Sequence, residues 1–459
     1  MSGKEMKKTS DELFILDGKP SLGQTVPLAL QHIVAMIVGC VTPAIIVAGV
    51  AGLSEQDSII LIQAALVMSA ISTLLQLFPF KFGKFRIGSG LPVIMGISFA
   101  YVPTMQAIAG SFDVATILGA QIVGGIIAII VGIFIKQIRK FFPPLITGTV
   151  VFAIGLSLYP TAINYMAGGT ANTYESVVEV RGLTEALVYG SWQNWTVAFI
   201  TLIIVTALNH FGKGIFKLAS ILIGVIAGYV VAMMFGMVDF SSVASASWFQ
   251  FPSPLHFGIK FEASSCVAIG VLFAINSIQA IGDFSATTTG GLDRMPTDEE
   301  LNGGILAYGC SNIFCALFGG LPTATYSQNV GIVGSTKVVA KRVFRTAAIV
   351  LLVAGLVPKF SSVLTTIPYC VLGGATVSVF ASIAMTGVKL ITAEPMTYRS
   401  TSIVGLAIAL GMGITQANAA LATFPAWVTT IFGKSPVVVA TITAVILNLI
   451  LPKEKENKN

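Results

Sequence analysis

Apolar runs of about 20 residues follow one another along this chain, joined by short polar connections. They cover 25–53, 57–79, 90–110, 113–136, 142–162, 192–210, 215–238, 263–285, 303–319, 321–335, 344–364, 366–386, 400–418 and 435–451. A hydrocarbon core about 30 Å thick takes roughly 20 apolar residues in helical form, so each run predicts a membrane segment, fourteen in all. Segments three and ten break the pattern. Gly88-Ser-Gly-Leu-Pro92 opens one and Gly319-Gly-Leu-Pro322 opens the other, and small or polar residues follow (Ser98; Thr323, Ser327, Gln328, Asn329). These read as interrupted spans. The shared Gly-Leu-Pro triplets lie 230 positions apart, and Phe142-Pro143 is matched 225 positions later by Ile367-Pro368. Two sevenfold halves are expected, and an odd number of crossings per half inserts the second repeat upside down.

Composition agrees with lipid as the solvent: 55% of residues are apolar, 10% are charged, and mean hydropathy is +0.87. That leaves too little polar surface for a soluble globule and no room for a separate soluble domain. Counted by alternate connections, 22 of the 26 Lys and Arg fall on one side, and only Arg181, Lys260, Lys359 and Lys434 on the other. The positive-inside rule then predicts both termini in the cytoplasm, an even number of crossings, and residence in the cell membrane. Residues 1–24 read as a cytoplasmic N-terminal tail without a removable signal peptide, and 452–459 as a cytoplasmic C-terminal tail. The net charge of +6 lacks the interleaved basic and aromatic residues of a nucleic-acid surface, so none is expected as partner. Cys40, Cys266, Cys310, Cys315 and Cys370 lie in apolar segments without metal-ligand spacing, and no metal or cofactor is predicted.

Irregular backbone at membrane depth is tolerated only where protein or a wet cavity satisfies its polar groups, so the paired broken segments point to a central binding site. Of the 20 acidic residues, 19 can be placed in tails, loops or helix ends, whereas Asp283 sits near the end of segment eight. Asn276 and Gln279 precede it by seven and four positions and share its helical face, which should look into the protein. Asp283 either carries a proton there, or caps the helix end or pairs with a polar neighbour without titrating. His32 in segment one joins a proton path or simply ties helices together. In segment ten, Gln328 offers an acceptor and donors in one plane, as a purine or pyrimidine edge requires, with glycines and backbone amides close by. The other reading of that stretch is polar glue between helices.

Residues Gln328, Asn329, Gly331, Thr336 and Lys337 match in full a signature of Gln, Glu or Pro, then Asn-x-Gly, four variable residues, Thr, and a basic residue or Gly. With Gln31-His32, Ser98-Phe99-Ala100 and Ala280-Ile-Gly-Asp283, nearly the whole chain resembles the nucleobase–ascorbate transporter family. The resemblance implies an all-α polytopic fold of fourteen segments in a 7+7 inverted repeat, with short strands in segments three and ten. It implies a core domain of 25–136 and 263–364 and a gate domain of 142–238 and 366–451. It implies a base held by backbone amides near Phe99 and Ser327, with Ala100 and Asn329 beside them, and by the side chains of Gln279 and Gln328. Asp283, His32 and Tyr308 would serve coupling or support the pocket. Gln at the first signature position resembles the xanthine and urate branch rather than the uracil or ascorbate carriers. Gln279 and Tyr308 stand where many members carry carboxylates, so coupling would pass to Asp283, use another cation, or be absent.

The expected function is a nucleobase permease, most like an oxidised-purine carrier working by elevator-type alternating access with a co-transported proton or other cation, and a homodimer is admitted. A uracil permease or an uncoupled facilitator is the nearest alternative. A sulfate or bicarbonate carrier of related architecture should place a fixed cation near the broken spans, whereas Lys337 falls at the cytoplasmic end. An enzyme would need a nucleophile–base pair or metal ligands grouped within the spans. His32 and Asp283, on helices distant in sequence, make no such pair. A receptor-like sensor would bind the same base without moving it.

Overall fold

The computed structural model describes residues 12–83, 85–138, 143–169, 188–425, 428–429, 432–433 and 435–452. The tails up to residue 11 and from 453 lie outside the described residues, as do Lys84, Arg139, Lys140, Arg181 and Lys434 of the charge count.

The chain is mostly helical. It runs α1 (Leu22–Val50), α2 (Glu55–Leu77), a ribbon of β1 (Phe80–Phe82) and β2 (Phe85–Ile87), β3 (Met95–Ile97), a 3-10 turn Phe99–Tyr101, α3 (Val102–Ala109), α4 (Val114–Ile133) and α5 (Pro144–Met166). Next come α6 (Trp192–Phe211), α7 (Ser220–Met234), α8 (Ala263–Leu292), α9 (Asp298–Leu317), β4 (Thr323–Thr325), α10 (Ser327–Thr336), α11 (Lys341–Gly355) and α12 (Pro358–Thr365). The chain closes with α13 (Tyr369–Ile391), α14 (Tyr398–Gln416) and α15 (Pro436–Ile450). Among the described residues seven helices, α1, α2, α4, α5, α6, α8 and α13, are long and apolar enough to cross a membrane singly.

Local chemistry sets the boundaries. The Ser54 hydroxyl accepts from the Asp57 N–H at 3.1 Å, and Thr297 and Glu300 form a capping box that starts α9 ahead of its apolar run. Proline, whose missing N–H costs nothing in a first turn, opens α5, α12 and α15. Segment eleven is not one straight helix: α11 and α12 meet at an 80° bend where Pro358 starts a new first turn. Segment eight outruns its expected end by seven residues, since 292 − 285 = 7, so Asp283 lies inside α8 and caps nothing.

Close approach of helices is built from small residues, the usual device where lipid supplies no hydrophobic drive. A Cβ on Gly387 of α13 would come within 2.3 Å of the Phe152 backbone nitrogen of α5, and one on Gly309 of α9 within 2.6 Å of the Gly125 carbonyl of α4. Helices α5 and α13 thus pack tightly together, as do α4 with α8 and α9, and α2 with α11. The broken spans meet in the middle of this packing. Strands β3 and β4 pair antiparallel, Met95 with Thr325, Gly96 with Ala324 and Ile97 with Thr323, and all six residues are buried.

Candidate functional site

Each strand of the β3–β4 pair runs into the start of a short helix. On the first side Ser98 donates its N–H to the Pro322 carbonyl and its hydroxyl accepts from the Ala100 N–H at 3.2 Å. On the second side Asn329 and Val330 both donate their N–H to the Tyr326 carbonyl. Among the described residues the N–H groups of Phe99, Ser327 and Gln328 find no backbone acceptor. These are orphan donors of helix starts, which gather partial positive charge. Phe99, where an amide was expected, has its N–H free, while the N–H of Ala100 beside it is taken by Ser98.

Strand and helix are pinned by buried contacts. Tyr326 donates its hydroxyl to the Ile97 carbonyl at 2.7 Å, and its ring lies where a Cβ on Gly96 would come within 2.5 Å. Only glycine lets the ring close over the strand. Asp283 of α8 accepts from the Thr325 hydroxyl and, at 2.8 Å, from the Ser327 hydroxyl. Of the two roles left open for it, a pairing with polar neighbours is present. Gln279 lies one turn earlier on the same face, about 6 Å along the axis. It is half-buried, and α8 packs against both β4 and the Phe99–Tyr101 turn. Helix α8 is itself well anchored: Glu262 at its start accepts from the Ser264 and Ser265 N–H groups at 3.0 and 2.7 Å. Burial works against that carboxylate, but the two seryl residues outweigh it and hold its pKa at about 2.

The sequence candidates divide into those that reach the open side and those that support it. Ser327 and Gln328 are exposed, and Gln279 is half-exposed; the two glutamine amides have no side-chain partner among the described residues. Gly282, Ala286 and Thr289 of α8 and Gly331 of α10 continue this open stripe of small and polar residues. Asn329 turns away from it. Its amide nitrogen lies 3.1 Å from His32 Nδ1 and 3.0 Å from the His32 carbonyl, tying α10 to α1, while the His32 ring packs on Phe344 at 4.5 Å. Tyr308 is buried, hydroxyl to hydroxyl with Tyr101, and its ring stacks on Phe273 at 5.4 Å. His32 and Asp283, far apart in sequence, therefore both grip α10 within its first turn.

Three participants were not singled out from sequence. Thr325 and Tyr326 stand beside the signature, and their polar groups next to two glycine-rich turns were the available signal. Phe380 of α13, whose ring meets Phe99 edge-on at 5.1 Å, carried none. Around α3 the helices are joined: Thr104 of α3 bonds Ser435 at 2.9 Å, and Thr161 of α5 donates to Gln106 Oε1 at 3.2 Å. A cavity of about 490 Å³ lined by Gln106, Ser157, Thr415 and Gln416 lies among these helices. The cation at the far end of α10, Lys337, pairs with Asp293 at 2.9 Å.

The profile of the Permease family (Xan_ur_permease) matches residues 23–420. The xanthine permease of Bacillus subtilis is 32% identical over 431 residues, covering 93% of this chain and 94% of its own length. The xanthine permease XanQ of Escherichia coli is 30% identical over 464 residues, covering 98% and 96%. Among solved structures, the transmembrane domain of the cyanobacterial bicarbonate transporter BicA superposes with a TM-score of 0.59 over 92% of this chain and 97% of that one, at 17% identity. That likeness concerns the fold.

Proposed function

Since this chain belongs to that permease family, and is a multi-pass membrane transporter rather than an enzyme, we propose that it carries an oxidised purine such as xanthine or urate. The carrying observation is the meeting of two broken spans whose free N–H groups, at Phe99 and at Ser327 and Gln328, flank the unpaired carboxamides of Gln279 and Gln328. A planar heterocycle with carbonyls and ring N–H groups on its edge complements such a set, and the Phe99 ring offers it an apolar face. A carrier of small anions would use a fixed cation here, and Lys337 is paired elsewhere.

The fourteen sequence segments then act as fourteen crossings in two inverted halves, with both termini cytoplasmic in the cell membrane. The core, 25–136 and 263–364, carries the site past the gate, 142–238 and 366–451. The Thr104–Ser435 and Thr161–Gln106 bonds close the outer side, and the open stripe of α8 and α10 is the water-filled approach from the cytoplasm. In the reverse state those bonds part and the stripe is covered. Proton coupling falls to Asp283. As a carboxylate it accepts two hydroxyls, and a proton on it would turn an acceptor into a donor and release one of them. Proton occupancy is thereby tied to Ser327, which carries one of the free amides.

Uptake of radiolabelled xanthine, urate and uracil into proteoliposomes with imposed proton or sodium gradients tests this reading. Xanthine or urate should accumulate on a proton gradient, and Asp283→Asn should abolish accumulation while leaving exchange. Uptake of none of the three by folded protein rejects the substrate, and uptake that only equilibrates the base whatever gradient is imposed identifies an uncoupled facilitator.

A further inference from the structure

The ribbon that joins α2 to the first broken span is amphipathic in a way the transport site does not use. Its register pairs Phe80 with Ile87, Lys81 with Arg86 and Phe82 with Phe85. Side chains alternate across a strand, so Phe80, Phe82, Phe85 and Ile87 share one face, while Lys81 and Arg86 share the other. Isolated two-stranded ribbons are marginal in water, yet here Phe80, Phe82 and Phe85 remain 48%, 72% and 49% exposed. Phe78, at the end of α2, adds a fourth ring at 44%.

The base of the ribbon is held firmly. Gly88 donates its N–H to the Gly303 carbonyl at 2.9 Å, and Gln76 donates its side chain to the Gly304 carbonyl at 2.7 Å. A Cβ on Gly303 would come within 2.5 Å of the Gly88 carbonyl oxygen, so α9 and the ribbon base are in direct contact. Arg86 donates to the Ser89 carbonyl at 3.1 Å and lies 3.5 Å from Glu299, which offsets part of its charge. Lys81 is exposed and enters no described ion pair.

We propose that this ribbon is a lipid-binding element that lays its phenylalanine face in the acyl–headgroup boundary and sets Lys81 and Arg86 among anionic phosphates. It begins three residues after a membrane-length helix ends, where aromatic rings and snorkelling cations settle at the interface. Its cationic face complements a negatively charged leaflet, which under the orientation proposed above is the cytoplasmic one. Being fixed to α2 and α9, and leading into β3 eight residues on, it links the site-bearing unit to the lipid surface.

The test needs no substrate, so it stands or falls apart from the transport reading. Phe82→Trp, with Phe80→Trp as a second reporter on the same face, is reconstituted with brominated phosphatidylcholine or phosphatidylglycerol, and wild-type emission from the four native tryptophans is subtracted. Strong quenching by shallow brominated lipid is expected, with about a fivefold preference for the anionic lipid, the weight of one lysine near a charged surface. Lys81→Gln should cut that preference to the share left to the partly offset Arg86, and high salt should bring it close to one. Reporters quenched by aqueous iodide but not by brominated lipid would overturn the proposal and leave the face to a soluble protein partner. Equal quenching by both lipids would overturn its anionic part.

Discussion

The two broken spans are built on the same plan but perform different work. The first, β3 through the Phe99 turn into α3, is buried in its strand and at its tip, where Phe99, Ala100 and the inward-bonded Tyr101 present no free polar side chain. The second, β4 into α10, is buried in its strand but ends in exposed Ser327 and Gln328. Both bring free amides to the centre, so the backbone repeats while the side chains diverge. A symmetric frame can thus grip an asymmetric ligand, one arm supplying a ring face and the other a hydrogen-bonding edge. The second arm takes its outside support from Asp283 of α8 and from His32 of α1. The first is pinned by Thr73 of α2, whose hydroxyl accepts from the Met95 N–H at 2.9 Å, and by Tyr326 of its partner arm.

Breaking that support should have the largest effect. Asp283→Ala removes the acceptor of both the Thr325 and Ser327 hydroxyls inside the protein. A hydrogen bond to a charged group contributes about 1.5–3 kcal/mol, so losing two should cost about 3 kcal/mol or more at the second arm. Uptake is expected to fall by about a hundredfold or more, with a lower unfolding temperature in detergent. Wild-type uptake by this variant would show that α10 needs no such anchor.

Next in size are the two faces of the grip, which should separate cleanly. Gln328→Ala removes an exposed amide that supports nothing in the fold, so unfolding should be unchanged while base affinity falls by about tenfold to a hundredfold, about 1.4–2.8 kcal/mol at 1.4 kcal/mol per decade. Competition binding with xanthine measures it. Phe99→Ala should lose about tenfold, within the range of about 1–3 kcal/mol for a base stacked on an aromatic ring. Its loss should be similar for xanthine and uracil, because every base has a ring face, whereas the loss at Gln328 should depend on the edge presented. If the Phe99 variant discriminates between bases more than the Gln328 variant, the division of labour between the arms is reversed.

Much of this was legible in the chain because membrane placement punishes ambiguity. An apolar run of 20 residues has few other uses, and Asp283 or Gln279 within such a run must face protein or water. The Gly-Leu-Pro triplets marked both broken spans for the same reason, since neither glycine nor proline sustains a helix there. What stayed hidden depends on tertiary placement. Nothing in the local pattern says that Phe380 meets Phe99 or that the Tyr326 hydroxyl reaches the Ile97 carbonyl 229 positions away. That the Ala100 N–H is taken depends on the rotamer of Ser98, which hydrogen-bonds forward by two residues. Pro358 lies inside the apolar run 344–364, whose hydropathy continues past it, so the bend between α11 and α12 was not read from the pattern.

The smallest effect should come from a change that touches neither arm. Glu262 caps α8 about 25 Å along the helix from Gln279, from 17 residues at 1.5 Å each. Its folded pKa of about 2 lies below the ordinary 4.5, because the Ser264 and Ser265 bonds favour the charged form. A depressed carboxylate stabilises the folded state fully above its unfolded pKa and loses that contribution as pH falls through the folded one. Glu262→Gln should therefore lower the unfolding temperature modestly at pH 7, and the gap to wild type should close between pH 4.5 and about 2. Base affinity at pH 7 should not change. If the variant weakens binding as much as Gln328→Ala does, then α8 transmits strain along its length, and the arms are not the independent units that their separate supports imply.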